Sequence, residues 1–456
     1  MSSQRLLFRN GFVVSMDPSI GEIAGGEVLV EDGKIVEVGR DLGVSDAEVV
    51  DATGMIVMPG FVDTHRHTWQ TPVRGVLPSC TLDHYFAVML GQVGGFYRPE
   101  DVYIGNWAGS LEALNAGVTT LLDWSHISNT PDHSDAAVSG LKEANIRAVY
   151  AHGMPTGGEW WMMSELEHPE DIRRIRDTYF SSDDGLITLA MAARQPGNSN
   201  YEVAKHDWAL ARELAIPISV HVGMRLHNLH YQPVKDMHDL GLMGPDVCYI
   251  HMTDLTDEEL DWIAETGGKA CVAPYVEMIM GHGPPPIGKL MQRGVRPSLS
   301  VDVVSSVPGE MFTQMRTALS YDRILCFTDT PDEAFNPPLT HRDVLEFATI
   351  DGARSVMLDH KVGSLTPGKQ ADVVLLKTHA INTAPVLDPL GTIVVFADTS
   401  NVDSVYVAGK AVKRGGELVG IDIDAIIRKL EESRNHILSA GGLLPDWAGE
   451  SAPVAL

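Results

Sequence analysis

Five side chains in this sequence, His65, His67, His221, His251 and Asp302, are of types that bind divalent transition metals. Each falls where a β-strand is expected to end. His65 and His67 sit two apart in Asp63-Thr64-His65-Arg66-His67, and extended backbone turns residues i and i+2 to one face, so both imidazoles can reach a single ion. Four imidazoles and one carboxylate suit zinc, and also iron, cobalt or nickel. Water bound to such an ion has its pKa lowered to about 7, which provides a nucleophile at neutral pH. Asp302 is placed to bind the ion, take the water's proton and pass it to a leaving group. His251 is expected to contact the substrate oxygen or the attacking water and to share charge stabilisation with the metal. The chemistry expected is hydrolysis at an electrophilic carbon that bears nitrogen or a comparable leaving group.

Side chains so far apart in sequence meet only if a repeating scaffold brings strand ends to one place. From about Ile56 to Ser306, β-branched apolar runs alternate with helical stretches at intervals of roughly 25 to 45 residues, the texture of repeated βα units. The strands predicted are Gly60–Thr64, Val118–Asp123, Ile146–Ala151, Leu186–Ala190, Pro217–Val220, Val247–Ile250, Lys269–Ala273 and Pro297–Val301. Thr256-Asp-Glu-Glu259 opens a helix as a capping box and Gly267-Gly268 closes it. The fold class expected is therefore α/β, a (β/α)8 TIM barrel whose ligands all gather at the C-terminal mouth.

Both chain ends read as β. Short apolar runs (Leu6–Phe8, Phe12–Ser15, Glu27–Val30, Lys34–Val38) are separated by Asn10-Gly11 and Asp32-Gly33. Ala371–Leu376 and a hairpin over Val405–Val412 follow the barrel, after a helix predicted over Thr340–Leu358. The expected organisation is a small β-sandwich domain from residues 1–55 and 361–420, the metal-dependent barrel over 56–360, and a C-terminal helix and tail over 421–456, with Arg428–Leu438 helical.

Composition narrows the partners. The chain has 456 residues, 44% hydrophobic and 21% charged, ordinary globular usage for a large domain with an accessory one. Its net charge of −27 repels phosphate backbones and anionic lipids, so no nucleic acid or membrane partner is expected. Apolar runs are too short to span a bilayer, and the first residues lack a signal-peptide cleavage pattern. Cys80, Cys248, Cys271 and Cys326 are scattered without a CxxC pair, and are expected to be free, buried thiols in a reducing, cytoplasmic setting.

The sequence resembles the amidohydrolase superfamily, in the branch of cytosine deaminase, S-adenosylhomocysteine deaminase and the triazine hydrolases. The motifs are Met58-Pro-Gly-Phe-Val-Asp-Thr-His-Arg-His67, the strand-ending His221 and His251, Ser300-Val-Asp302, and Val362-Gly-Ser-Leu-Thr-Pro-Gly-Lys-Gln-Ala-Asp-Val373. The resemblance spans nearly the whole chain. It implies one divalent metal on His65, His67, His221 and Asp302, with His251 as a further active-site histidine, and it suggests a homodimer or larger homo-oligomer. Two-metal relatives carry a modified lysine at the end of strand four, whereas Leu186-Ile-Thr-Leu-Ala-Met-Ala-Ala-Arg194 has none.

One departure bears on the reaction. Ring deaminases of this branch place a glutamate three residues after the strand-five histidine to protonate the ring nitrogen; here position 224 is methionine. Strand seven also departs, reading Ala273-Pro-Tyr-Val-Glu-Met278 in place of the Asn-Pro-x-Ser-Asn stretch many deaminases show. Either Glu277, His282 or His227 protonates instead, or the substrate needs no such proton, as with an amide, carbamate or urea. The function expected is hydrolysis of a non-peptide C–N bond in a small aromatic or heteroaromatic molecule. Deamination or dechlorination of an aminated heterocycle is the alternative, and a non-catalytic assembly protein a remote one. Substrate contacts are expected from His282, Trp69, Gln70, Arg194 and Trp124, with Tyr85, Trp160 and Trp161 in neighbouring loops. His227 and His230 follow His221 in a loop, and Asp123 and His126 could orient a ligand.

Overall fold

The computed structural model describes residues 5–224, 232–329 and 339–445. In chain order, strands β1 (Arg5–Val14), β2 (Glu22–Glu31), β3 (Lys34–Gly39), β4 (Glu48–Asp51) and β5 (Met55–Pro59) precede the barrel. The barrel strands are β6 (Phe61–Arg66), β7 (Val118–Ser125), β8 (Arg147–His152), β9 (Ile187–Ala193), β10 (Ile218–Val222), β11 (Val247–His251), β12 (Lys269–Val272) and β13 (Ser298–Leu299). After them come β14 (Val373–Lys377), β15 (Val402–Val407), β16 (Lys410–Arg414) and β17 (Glu417–Leu418).

The eight barrel strands pair in sequence order, every pair parallel, as helices returning each strand to the same end require. The seam between last and first strand lies at the candidate ligands. The Asp302 N–H donates to the His65 carbonyl (3.0 Å), the His67 N–H donates to the Asp302 carbonyl (2.8 Å), and the Val301 N–H donates to Asp63 Oδ1 (3.0 Å). Closing the barrel and bringing Asp302 beside His65 and His67 are thus one event.

Both chain ends share a nine-stranded sheet in which β5 joins β1 to β14, with its own core that includes Leu6, Phe8, Val28, Leu375 and Tyr406. Residues 56–59, expected at the start of the barrel, pair in this sheet instead. Asn10-Gly11 is a bulge within β1, with Asn10 at φ 68°, whereas Asp32-Gly33 turns β2 into β3. The predicted helix over Thr340–Leu358 is two helices, His341–Phe347 and Ile350–Ser355. It breaks because the Ala348 carbonyl accepts from the Val62 N–H (2.8 Å) of β6 while Thr349 Oγ1 donates back to the Leu345 carbonyl (2.6 Å). The terminal helix is longer than expected, Ile423–Ala440, with Asp422 capping its start. The four cysteines are free and buried. No helix among the described residues is long and apolar enough to cross a membrane.

Candidate active site

Strands β12 and β13 end one and two residues earlier than expected and leave Asp302 beyond its strand. The other six barrel strands, β6 to β11, run one to three residues further than their apolar cores suggest, so His65, His221 and His251 lie on the strands themselves. Their nitrogens converge. His65 Nε2 is 3.1 Å from His221 Nε2 and 3.1 Å from Asp302 Oδ1, and His67 Nε2 is 3.4 Å from that same oxygen. The other carboxylate oxygen, Oδ2, faces His251 Nε2 at 3.8 Å. His251 and Asp302 hold left-handed backbone, φ 74° and φ 68°, a conformation that costs free energy at non-glycine residues and is concentrated at functional sites.

Neighbours set the tautomers. His67 Nδ1 donates to the Trp124 carbonyl (2.8 Å), which leaves the Nε2 lone pair facing the cluster. Burial, reinforced by the adjoining His65, pushes the His67 imidazole down to about 3. Burial also holds His65 below the ordinary histidine range, and His221 well below it. Burial would raise the Asp302 carboxyl, but the hydrogen bond and charge of His65 outweigh it and keep the group ionised. Imidazole nitrogens crowded this closely around one carboxylate, with His65 Nδ1 left without a hydrogen-bond partner, are an arrangement that a cation among them would stabilise. Three overlapping groups, His65–His221–His251, His65–His67–Asp302 and His251–His282–Asp302, each bring ligand atoms within 4.8 Å of one another. The donor set fits a divalent ion.

His251 stands apart from the other imidazoles. Its Nδ1 is 3.0 Å from Glu277 Oε1, an oxygen that also accepts from the Ala273 N–H (2.7 Å). Burial opposes its charge, yet Glu277 and Asp302 together raise its pKa. The Glu277 carboxylate therefore sits behind His251 and is not among the residues lining the cavity, so it is not placed to protonate a substrate in place of residue 224.

The cluster floors a cavity. Its walls include Trp124, whose ring lies 4.3 Å from that of His221, and His282, 4.8 Å from the ring of His251. Tyr85, Phe86, Trp161 and Met224 also line it, and Asp302 is the only carboxylate among the described lining residues. Trp69 and Gln70 do not line the cavity, because a 3₁₀ turn over Thr68–Val73 folds them beneath the wall. From there the Trp69 indole donates to His126 Nδ1 (3.1 Å), and the Gln70 amide donates to the Tyr85 hydroxyl (2.6 Å). Trp160 is likewise outside the cavity, under the Arg194 guanidinium at 5.2 Å. Asp123 touches no ligand side chain; it accepts from the Thr68 N–H (3.2 Å) and Asn106 (2.7 Å), and burial pushes it up to about 6. His126 does line the cavity, 4.1 Å from the His67 ring. His227 and His230 lie outside the described residues.

Arg194 borders the cavity, but its guanidinium is engaged elsewhere. It donates to Asp207 (3.2 Å) and to the carbonyls of Leu166 (2.5 Å) and Trp160 (3.2 Å), so it anchors the loop after β8. The residue that sequence reasoning missed is its neighbour. Gln195 lines the cavity at 2% exposure, and neither end of its carboxamide has a hydrogen-bond partner. A buried, unpaired amide costs about 1–3 kcal/mol, a cost that a ligand can relieve. No spacing marks Gln195; only the turn after β9, closed by Asn198 and Ser199 N–H groups on the Gln195 carbonyl, sends it inward.

A parallel eight-stranded barrel with histidines and an aspartate at its C-terminal mouth is the architecture of a metal-dependent hydrolase. The amidohydrolase family matches residues 56–412, and the chain belongs to that family. It is 31% identical over 409 residues to the 5'-deoxyadenosine deaminase of Methanothermobacter thermautotrophicus, covering 87% of this chain and 91% of that protein. It is 28% identical to the 5-methylthioadenosine/S-adenosylhomocysteine deaminase of Symbiobacterium thermophilum, covering 95% and 99%. A zinc-bound adenosine deaminase from Xanthomonas campestris superposes with a TM-score of 0.83 at 24% identity, over 95% of this chain and 98% of that one. The zinc complex of atrazine chlorohydrolase from Arthrobacter aurescens gives 0.82 at 20%, over 94% and 100%.

Proposed function

We propose that this protein is a metal-dependent hydrolase that cleaves an exocyclic C–N bond, of the amide, carbamate or urea kind, in a small flat aromatic or heteroaromatic molecule. Met224 carries the choice within the family. It is 6% exposed and lines the cavity where a ring deaminase would need an acid, and a thioether transfers no proton. With Asp302 as the one carboxylate among the described residues of the wall, the proton removed from water and the proton given to the leaving amine both pass through it.

His65, His67, His221 and Asp302 would hold one divalent ion, with zinc supported by the zinc-bound structures of the same fold, and such an ion supplies Lewis acidity. Asp302 divides its work between its oxygens: Oδ1 lies among the ligand nitrogens, while Oδ2 is turned to His251 and is the atom that accepts and returns the proton. His251, braced by Glu277 on the far side, presents Nε2 to the carbonyl oxygen as negative charge builds there. Trp124 and Tyr85 give the ring of the substrate an apolar slot.

Gln195 would pair its amide with the N–H and C=O of the scissile group. Gln195→Leu keeps the volume and removes the buried polar atoms. It is expected to cut kcat/KM at least about tenfold while thermal stability is held or raised, since no internal hydrogen bond is lost. A lower melting temperature with kcat/KM unchanged would make Gln195 a structural residue only.

The deaminase reading keeps specific support, because the relatives named above are deaminases and His282 faces the cavity beside His251. Product mass spectrometry separates the two readings. Amides, carbamates and ureas would be tested beside aminated heterocycles, with and without chelator. Cleavage into an amine and an acid or carbamic fragment supports the first reading. An intact ring with its amino group replaced by oxygen overturns it in favour of deamination.

Free buried thiols support a cytoplasmic setting for the enzyme. A homodimer or larger assembly is supported by the exposed apolar side chains Met278, Ile279, Ile324 and Phe327 on the helices Pro274–Ile279 and Met311–Asp329.

A further inference from the structure

Phe86 and Trp161 line two spaces. On one side is the cavity above the candidate metal-binding cluster; on the other is an outer groove completed by Leu90, Gly91, Gly157, Gly158 and Met162. Their ring centroids are 6.4 Å apart and their planes meet at 50°, so the two rings form the sill between the spaces. Among the described residues, no charged, hydroxyl or amide side chain lines the groove. Where the side chains stop, glycines keep it open: a Cβ added at Gly158 would meet nothing within 4 Å. Met162 is 64% exposed on its rim and holds left-handed backbone at φ 64°.

We infer that the outer groove is a subsite for an apolar substituent of the substrate, an alkyl or aryl tail attached to the flat group held over the cluster. This rests on the reading of the inner cavity as the hydrolytic site and names the class of molecule that site takes. The shared lining residues Phe86 and Trp161 set the groove beside that cavity. Its described side chains offer a sugar one donor, the unpartnered Trp161 indole N–H, and no acceptor stronger than the Met162 thioether, so a ribose with several hydroxyls would lose hydration there with little compensation. An apolar tail gains by the same transfer.

A series of 4-alkylphenylureas, from methyl to pentyl, tests this in the metal-loaded protein by calorimetric Kd and by kcat/KM. Each added methylene is expected to tighten binding about three- to fourfold. Gly158→Trp fills the groove and Met162→Gln wets its rim; in both, the gain per methylene should fall below about 1.5-fold. The quantity read is the ratio of long to short member within one protein, so a variant that weakens overall still reports. No chain-length dependence in the wild type, an undiminished dependence in both variants, or no binding by any member each overturns the subsite. Binding that follows chain length without cleavage leaves the groove standing and removes the C–N hydrolysis reading for ureas.

Discussion

Asp302→Asn is expected to lower kcat by at least about a thousandfold while the protein stays folded. The carboxylate is the meeting point of the cluster, with Oδ1 3.1 Å from His65 Nε2 and Oδ2 turned to His251. An amide binds metal weakly and cannot accept a proton, so both the ion and the proton route are lost together. The fold should survive for two local reasons. The hydrogen bonds that clasp the barrel seam at this residue use its backbone, between the Asp302 N–H and the His65 carbonyl and between the His67 N–H and the Asp302 carbonyl. Asparagine also tolerates left-handed backbone such as φ 68° better than most residues. Steady-state kinetics alongside thermal unfolding checks the claim, and kcat within tenfold of wild type would refute the proton role.

The second large effect is on stability, far from the chemistry. Arg147 begins β8 at the end of the barrel opposite the cluster, and donates through Nε (2.8 Å) and Nη2 (3.0 Å) to the two oxygens of Asp372. Both residues are 3% exposed, and Asp372 also accepts from the Ala408 N–H (2.8 Å) beside β15. The pair joins the barrel to the sheet built from the chain ends. Asp372→Ala leaves a guanidinium buried with no counter-charge, and is expected to cost about 3–5 kcal/mol in denaturant unfolding. An apolar pair, Arg147→Met with Asp372→Leu, should recover much of that loss, because it removes both desolvation penalties. Below the melting range kcat should stay within about twofold of wild type, since residues at this face of a barrel serve stability. A loss under about 1 kcal/mol in the single variant would show that the junction holds without the pair.

The convergence of the histidines and Asp302 was legible for a physical reason. His65, His221 and His251 lie on barrel strands, and His67 and Asp302 just past theirs, where the direction of the strand determines which end of the barrel they reach, so their meeting at one mouth follows from strand positions. Residues past the strand ends were not legible in this way. Trp69 and Gln70 follow the histidines and so read as substrate contacts in the sequence, but the turn over Thr68–Val73 buries them as props for His126 and Tyr85. Arg194 and Gln195 exchanged the roles their chemistry suggests. The guanidinium found Asp207 on the helix Tyr201–Glu213, and the carboxamide was left facing the cavity. The residue type of Glu277 allows it to act as an acid, whereas its place behind His251 depends on the turn after β12 that directs both at one another. The break at Thr349 was invisible for a similar reason: its cause is a hydrogen bond to a strand nearly three hundred residues earlier.

The central claim is a single divalent ion on which hydrolysis depends, and counting metal atoms per chain in the active protein tests it most directly. Plasma mass spectrometry of the purified enzyme, before and after chelation, should give about one equivalent per chain, with activity lost on removal and restored by one equivalent of zinc. Two equivalents per chain, or full activity in protein stripped of metal, would contradict the account.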